Sequence, residues 1–168
     1  MPAEGSRLID VDRLADAGET YVLDLELSSL PRLAPLLASE QGSAHAQLRF
    51  ARERGQPVAE VVVQARVPLR CQRCLGPVWQ TVDESSKVWL VTDPARIDDL
   101  EMGIEPILAA EGRIALRDLV EEELLLAVPL VPRHAGDECG LVEASPAQGE
   151  SVQKPFAGLG ELLKRGQN

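Results

Sequence analysis

An alternating pattern of apolar and polar residues runs through the centre of the chain and constrains its fold more than any other feature. The segment VAEVVVQARVPLR begins at Val58, and its alternate residues are apolar. The apolar set is Val61, Val63, Ala65, Val67 and Leu69, and the intervening polar set includes Glu60, Gln64, Arg66 and Arg70. Side chains along a strand point alternately to opposite faces, so this pattern predicts a strand with one packed and one solvated face. Similar stretches on both sides, QLRFARER and VWQTVDESSKVWLV, predict an antiparallel meander.

Further elements are predicted before and after this meander. YVLDLEL, beginning at Tyr21, alternates as a half-buried strand should, and SSLPRLAPLLASE, beginning at Ser28, is interpreted as a short helix. IALRDLVEEELLLAV places apolar residues at helical spacing and predicts a longer helix over residues 116–127, which Pro129 and Pro132 end. The EEE run of this helix is interpreted as a solvated face.

These elements predict an α+β fold, a mostly antiparallel β-sheet of four or five strands packed against a C-terminal helix. The acidic segment 92–112 is interrupted by proline and glycine, so a flexible surface loop with a short strand at EPILA is expected there. We expect a single domain over residues 1–135. Residues 136–168 are expected to form a flexible tail that ends in a short helix at PFAGLGELLKR.

The charge of the chain narrows the kinds of partner that it can attract. Its 168 residues include 17 Lys and Arg against 27 Asp and Glu, which gives a formal net charge of -10. This balance opposes general attraction to nucleic acid or to anionic lipid and favours a basic protein partner. The chain has neither a signal-peptide pattern nor an apolar run long enough to span a bilayer, so a cytoplasmic protein with no membrane partner is expected.

Two short clusters supply four soft metal ligands. Cys71 and Cys74 form a C-x2-C pair between two predicted strands, and His134 and Cys139 follow the long helix. Zinc favours tetrahedral thiolate and imidazole coordination, so the four residues predict a structural zinc site that the fold assembles from two halves. Two other interpretations stay open: a redox-active C-x2-C pair, or cysteines that serve only as small turn residues.

Arginines give one part of the acidic chain a local positive charge. Residues 48–73 carry six arginines and two glutamates, a local net charge of +4. If the strands are neighbours, the arginines can form a basic strip beside the cysteine turn, with Arg66, Arg70 and Arg73 as candidate RNA-binding residues. The alternative is that these arginines pair with nearby acidic groups. No phosphate-binding loop or familiar catalytic motif accompanies them, so enzymatic activity is not expected.

Four segments together resemble a known family. Their order and spacing are those of the YceD-like proteins, which are also called large ribosomal RNA subunit accumulation proteins. The segments are CQRCLGPV, IALRDLVEEELLLAVPLVPRH, a cysteine shortly afterwards, and KPFAGLGELLK. The resemblance covers residues 20–165. Cys71 and Cys74 match the C-x-x-C of the family, whereas metal binding is inferred from the residues and not from the resemblance.

The resemblance implies a bacterial factor without enzymatic activity that is needed for normal levels of 23S ribosomal RNA and for synthesis of the large ribosomal subunit. The expected partners are the 23S RNA precursor or a basic ribosomal protein of the large subunit. Two alternative functions are a C-x-x-C thiol oxidoreductase and a zinc-stabilised protein-interaction module unrelated to RNA.

Overall fold

A computed structural model describes residues 5–99, 105–136, 138 and 139 of the chain. The strands are β1 (Leu8–Asp10), β2 (Thr20–Glu26), β3 (Ser43–Glu53), β4 (Gln56–Arg70), β5 (Pro77–Val91), β6 (Glu105–Leu108) and β7 (Arg113–Ala115). The helices are α1 (Val11–Ala17) and α2 (Leu116–Ala127). None of the helices in these ranges has the length and apolar character that crossing a membrane requires.

The main sheet has five strands in the order β2-β3-β4-β5-β6. Neighbouring strands are antiparallel except for β6, which runs parallel to β5. The two other strands, β1 and β7, form a separate antiparallel pair. This arrangement confirms the predicted α+β class, the central meander and the short strand at EPILA.

One face of the sheet carries the main core. The inward side chains of β2 to β5 pack with the apolar residues of both helices in a single cluster, in which Phe50, Leu119 and Leu124 are almost completely buried. The predicted inward set of β4 is confirmed, since Val61, Val63, Val67 and Leu69 all belong to this cluster. A smaller cluster of Val58, Trp89 and Val91 lies apart from it.

The helix predicted from Ser28 onward is wrong. This stretch contains only two short 3-10 turns, Leu27–Ser29 and Ala34–Leu36. Pro31 and Pro35 lack the N–H group that an α-helix needs and obstruct its preceding turn, which explains the difference. The helix before the meander is instead α1, where the Asp10 side chain accepts a hydrogen bond from the Arg13 N–H and Gly18 ends the helix with a φ of 60°.

Helix α2 has the predicted bounds, but its acidic run is not a solvated face. Glu121 and Glu123 are buried, with 2% and 6% of their surface exposed. Glu121 accepts hydrogen bonds from the backbone N–H groups of Arg32 and Leu33, at 2.7 and 3.1 Å. Burial raises the pKa of Glu123. The interpretation of this run as solvated is therefore wrong for Glu121 and Glu123. Glu122 is partly exposed, and its carboxylate pairs with the Arg32 side chain.

The C-terminal part of β4 extends beyond the first residues of its antiparallel neighbour β3. Pairing with β3 stops at Ala65, whereas pairing with β5 continues to Arg70. Pro68 lies in this extension, so its missing N–H leaves no gap in the β3 ladder. On that side Leu37 forms an isolated bridge to Leu69, and the Ala38 N–H donates to the Pro68 carbonyl at 2.7 Å. The predicted C-terminal helix at residues 155–165 lies outside the described part of the chain.

Candidate metal centre

A tight turn between β4 and β5 carries the first two candidate ligands. The Cys71 N–H donates to the Gly76 carbonyl at 2.9 Å, and the Leu75 N–H donates to the Cys71 carbonyl at 3.0 Å. Leu75 adopts a left-handed φ of 63°, which closes the turn before Gly76. Both bonds fold the chain back on itself within six residues, so the Cys71 and Cys74 side chains converge.

Hydrogen bonds connect the segment after α2 to this turn. The Gln72 N–H donates to the Pro132 carbonyl at 2.8 Å, and the Arg73 guanidinium donates to the Gly136 carbonyl at 2.9 Å. These two bonds lie on either side of His134 in the sequence. They bring the second pair of candidate ligands, His134 and Cys139, against the first.

The four candidate ligands form one compact group. Cys71, Cys74, His134 and Cys139 place one sulfur or ring nitrogen each within 4.8 Å of the others, a group that could hold a metal ion. The sulfur atoms of Cys71 and Cys139 are 3.7 Å apart, and His134 Nδ1 lies 3.4 Å from the Cys74 sulfur and 3.6 Å from the Cys139 sulfur. Tetrahedral zinc with bonds of about 2.3 Å to sulfur and about 2.0 Å to nitrogen separates its ligand atoms by roughly 3.5 to 3.8 Å. The spacing of these three pairs therefore fits a zinc ion.

A hydrogen bond outside the group orients the histidine. His134 Nε2 lies 2.9 Å from the Pro77 carbonyl oxygen, which can only accept, so Nε2 carries the proton and donates it. In a neutral ring Nδ1 then keeps its lone pair, which points at the sulfur atoms. Metal-bound histidines are commonly held in this way by a backbone carbonyl.

Backbone donors favour the ionised form of Cys71. The N–H groups of Cys74 and Arg73 donate toward its sulfur and lower the pKa of Cys71 to about 5. Its thiolate in turn raises the pKa of His134, with a further contribution from the Pro77 carbonyl. Burial, together with the neighbouring sulfur of Cys71, raises the pKa of Cys139. The Cys71 thiol is thus ready to bind a cation, while the Cys139 thiol ionises as the cation binds.

The metal-free protein is expected to keep the Cys71 thiolate in mildly acidic solution. As pH rises through about 5, thiolate absorbance should appear in the wild-type protein and be missing in Cys71→Ser. The pKa in the unfolded chain is about 8.5, so this thiol adds stability that is fully present above that pH and is lost as pH falls toward 5. An ultraviolet pH titration of chelator-treated protein tests this, and a first thiol midpoint above pH 8 would contradict it.

The arginines predicted to form one strip are divided between two ends of the sheet. Arg66 and Arg70 are exposed and lie on the same side of β4, next to the cysteine turn, and Arg73 lies in the turn itself. Arg49 and Arg52 lie at the other end, where Arg52 pairs with Asp12 and Asp16 of α1. The structure therefore brings together only the three arginines predicted as RNA-binding residues, and Arg73 already bonds to Gly136.

The sequence analysis did not predict the positions of Trp79 and Glu121. Trp79 of β5 is 44% exposed and lies directly opposite Pro68 of β4. Glu121 fastens the segment before β3 to α2, as described above. A tryptophan at an outward position of a predicted strand was the available signal for the first, but the sequence offered no signal that Glu121 is buried.

Comparison with known proteins places the chain in a family. The family model described as large ribosomal RNA subunit accumulation protein YceD matches residues 59–163. This chain belongs to the YceD family. The resemblance inferred from its sequence is thus confirmed, and the matched range contains all four candidate ligands of the metal centre as well as α2.

A curated relative extends the similarity over most of the chain. The protein of Haemophilus influenzae named large ribosomal RNA subunit accumulation protein YceD is 34% identical over 167 residues, which covers 94% of this chain and 96% of the relative. No solved structure matches the chain. The YceD relationship therefore rests on sequence, and the geometry of the four candidate ligands is an independent observation.

Proposed function

We propose that this protein is a ribosome biogenesis factor that promotes the accumulation of 23S ribosomal RNA and acts by binding rather than by catalysis. The observation that carries the proposal is membership of the YceD family together with a relative named for large ribosomal RNA subunit accumulation. Ribosome assembly in bacteria takes place in the cytoplasm, so the proposal includes that location.

In this proposal the metal centre has a structural role. The ligands Cys71, Cys74, His134 and Cys139 would hold one zinc ion, which supplies no reaction but fixes the β4–β5 turn to the segment after α2. Cys71 is completely buried, which favours a closed site over one that exchanges electrons with a large substrate. The turn and the strand ends beside it would then form a rigid surface.

This surface offers positive charge to RNA although the chain is acidic. Arg66 and Arg70 lie on it, and within the described ranges neither forms an ion pair with an acidic side chain. Guanidinium groups that are not neutralised can bind phosphates directly. The acidic remainder of the chain favours contact with a basic ribosomal protein, so a precursor particle that contains both kinds of partner is the proposed target.

Depleting the protein from its bacterial host is expected to lower mature 23S RNA relative to 16S RNA. Wild-type protein supplied from a plasmid should restore the ratio, and the triple variant Arg66→Ala, Arg70→Ala, Arg73→Ala should restore it poorly, because the variant neutralises fewer phosphates. The variant Arg13→Ala, Arg49→Ala, Arg117→Ala removes the same charge elsewhere and is the matched control. Quantification of both RNAs tests the proposal, which an equal loss of the two RNAs would overturn.

A thiol oxidoreductase is the rival function, and the lowered pKa of Cys71 is the observation that favours it. The rival needs turnover, whereas the binding factor does not. Reduction of a disulfide substrate by the purified protein, with loss of this activity in Cys74→Ser, would support the rival. Absence of turnover in metal-loaded and metal-free protein would remove its support.

A further inference from the structure

Trp79 is an exposed aromatic side chain on the outward face of the sheet. The chain has two tryptophans, of which Trp89 is 3% exposed and Trp79 is 44% exposed. Trp79 and Trp89 lie on the same strand, β5, but only Trp89 belongs to an apolar cluster. A large ring that remains half exposed is available to a binding partner.

Two arginines of the neighbouring strand flank Trp79. In the register of β4 with β5, Trp79 is opposite Pro68, so Arg66 and Arg70 lie two residues away on either side and point to the same face. The Arg66 guanidinium carbon is 4.9 Å from the centre of the Trp79 ring, which is the geometry of a cation–π contact. The ring and both positive charges thus form one surface, which we call the Trp79 platform: Arg66, Arg70 and Trp79.

The acidic side chain of β5 on this face lies farther from Trp79 along the sheet than the two arginines do. Asp83, four residues beyond Trp79 on the same face, accepts a hydrogen bond from the Gln64 side chain at 3.1 Å. Thr81 is the residue between them on that face and is uncharged. Four strand residues span roughly 13 Å, so the charged side chains beside the Trp79 ring are those of Arg66 and Arg70. This positive surrounding suits an anionic ligand with a flat, apolar part.

The metal centre holds this platform in place. Pro77, two residues before Trp79, receives the hydrogen bond from His134, and Arg70 directly precedes Cys71. Both strand ends that carry the platform are thus fixed by residues of the centre. A stacking surface fixed in this way loses little conformational freedom when a ligand binds.

We propose that the Trp79 platform binds an unpaired nucleobase of single-stranded RNA, which stacks on the Trp79 ring while Arg66 and Arg70 contact the adjacent phosphates. This inference rests on the proposed function and adds the kind of RNA that is bound. Bases in a duplex are already stacked on each other, so only unpaired bases can present a face to the ring. A protein with this preference selects unfolded or unprocessed segments of a ribosomal RNA precursor.

Binding of short synthetic RNAs to the purified, metal-loaded protein tests this inference. The probes are an oligouridylate, an oligoadenylate and a mixed-sequence RNA duplex of equal length. Base stacking on an aromatic side chain contributes about 1 to 3 kcal/mol, so Trp79→Leu is expected to weaken binding of the single strands by roughly 5- to 150-fold. Trp79→Phe should retain most of the affinity because it keeps an aromatic ring, and the duplex should bind weakly to all three proteins.

Fluorescence supplies a second readout. Stacking of a base on Trp79 should quench tryptophan emission in the wild-type protein, and the quenching should disappear in Trp79→Phe although this variant still binds. Unchanged metal content and melting temperature in both variants verify that they are folded. Equal affinity of wild type and Trp79→Leu for the single strands, or no binding of them by the wild type, would overturn the inference.

The two proposals fail in different ways. Retained RNA binding in Trp79→Leu would overturn the Trp79 platform and leave the depletion phenotype of 23S RNA as it is. An unchanged ratio of 23S to 16S RNA on depletion would overturn the proposed function, even if Trp79→Leu had lost its affinity for the oligonucleotides.

Discussion

Replacing Cys74 with serine is expected to abolish metal binding and to lower stability in the same protein. The wild type should purify with about one equivalent of zinc in tetrahedral coordination. Changing groups that merely support a metal ligand costs 10- to 100-fold in affinity, so loss of a ligand should cost more than about 100-fold. The metal content of Cys74→Ser should therefore fall to near zero after dialysis against a weak chelator.

The expected loss of stability follows from binding linkage. A ligand present at about 1,000 times its dissociation constant stabilises the folded state by about 4 kcal/mol, provided that it does not bind the unfolded chain. Loss of zinc from Cys74→Ser should thus lower the free energy of unfolding by on the order of 4 kcal/mol in zinc-containing buffer. The variant should still fold, because Cys74 does not belong to the main core that the sheet forms with both helices.

A matched control lies two residues away. Gln72→Ser alters the same turn, but among the described residues the Gln72 side chain bonds only to the Arg70 carbonyl, and the backbone N–H that reaches Pro132 is retained. This control should keep its metal and nearly all of its stability. Metal analysis and chemical denaturation, with and without a chelator, separate the two variants. A Cys74→Ser protein that retained a full equivalent of zinc would rule out the four-ligand site.

The second half of the metal centre should behave as part of the same unit. Cys139→Ser is expected to lose metal as Cys74→Ser does, although 65 positions separate the two residues. Since one ion cannot be lost twice, the double variant should be hardly less stable than either single variant. Additive losses of stability would mean that the two clusters act independently.

The sequence could predict that the four candidate ligands lie together because they come in two local pairs. Cys71 and Cys74 are adjacent through a turn, and His134 and Cys139 are close together after a helix with clear proline endings. The mutual position of the two pairs could not be predicted. It depends on backbone hydrogen bonds, such as that from the Gln72 N–H to the Pro132 carbonyl, and these do not depend on which side chains the residues carry. The chemistry of the four residues alone suggested that the fold joins them.

Other parts of the fold were predicted with mixed success, and each outcome has a physical reason. Alternation correctly identified the buried side of β4, because burial of one face imposes a period of two. The segment 28–40 has apolar residues at helical spacing, but two prolines prevent a continuous helix, and the segment lies as an irregular chain whose Leu30 and Leu33 are fully buried. Glutamate is seldom buried without a partner, so composition alone argued wrongly that Glu121 is solvated.

Glu121→Ala is expected to be strongly destabilising, although Glu121 belongs to a run of acidic residues. Its carboxylate accepts from two backbone N–H groups, those of Arg32 and Leu33, and the bond to Leu33 is buried. Alanine would leave these donors without an acceptor, and each hydrogen bond to a charged group contributes about 1.5 to 3 kcal/mol. We therefore expect a loss of about 3 kcal/mol or more in the free energy of unfolding.

Two further variants, Glu122→Ala and Glu121→Gln, serve as controls for the loss of stability in Glu121→Ala. Glu122→Ala removes the same charge from the next position of α2, where the carboxylate makes a partly exposed ion pair with the Arg32 side chain, and it should cost less than about 1 kcal/mol. Glu121→Gln keeps one acceptor oxygen and should fall between the two alanine variants. Urea denaturation of the three proteins gives the order directly, and an equal cost for Glu121→Ala and Glu122→Ala would contradict it.

The Glu121 contact also bears on the proposed RNA surface. It fixes the segment that continues to Leu37, which bridges to Leu69 in the extension of β4 between Arg66 and Arg70. Zinc content should stay unchanged in Glu121→Ala, because the hydrogen bonds of Glu121 in the described part of the chain go to Arg32 and Leu33 and not to the four ligands. If the extension of β4 depends on this segment, single-stranded RNA should bind more weakly to Glu121→Ala than to Glu122→Ala under conditions in which both are folded. Equal RNA affinity would show that the metal centre and β5 are sufficient to hold the Trp79 platform.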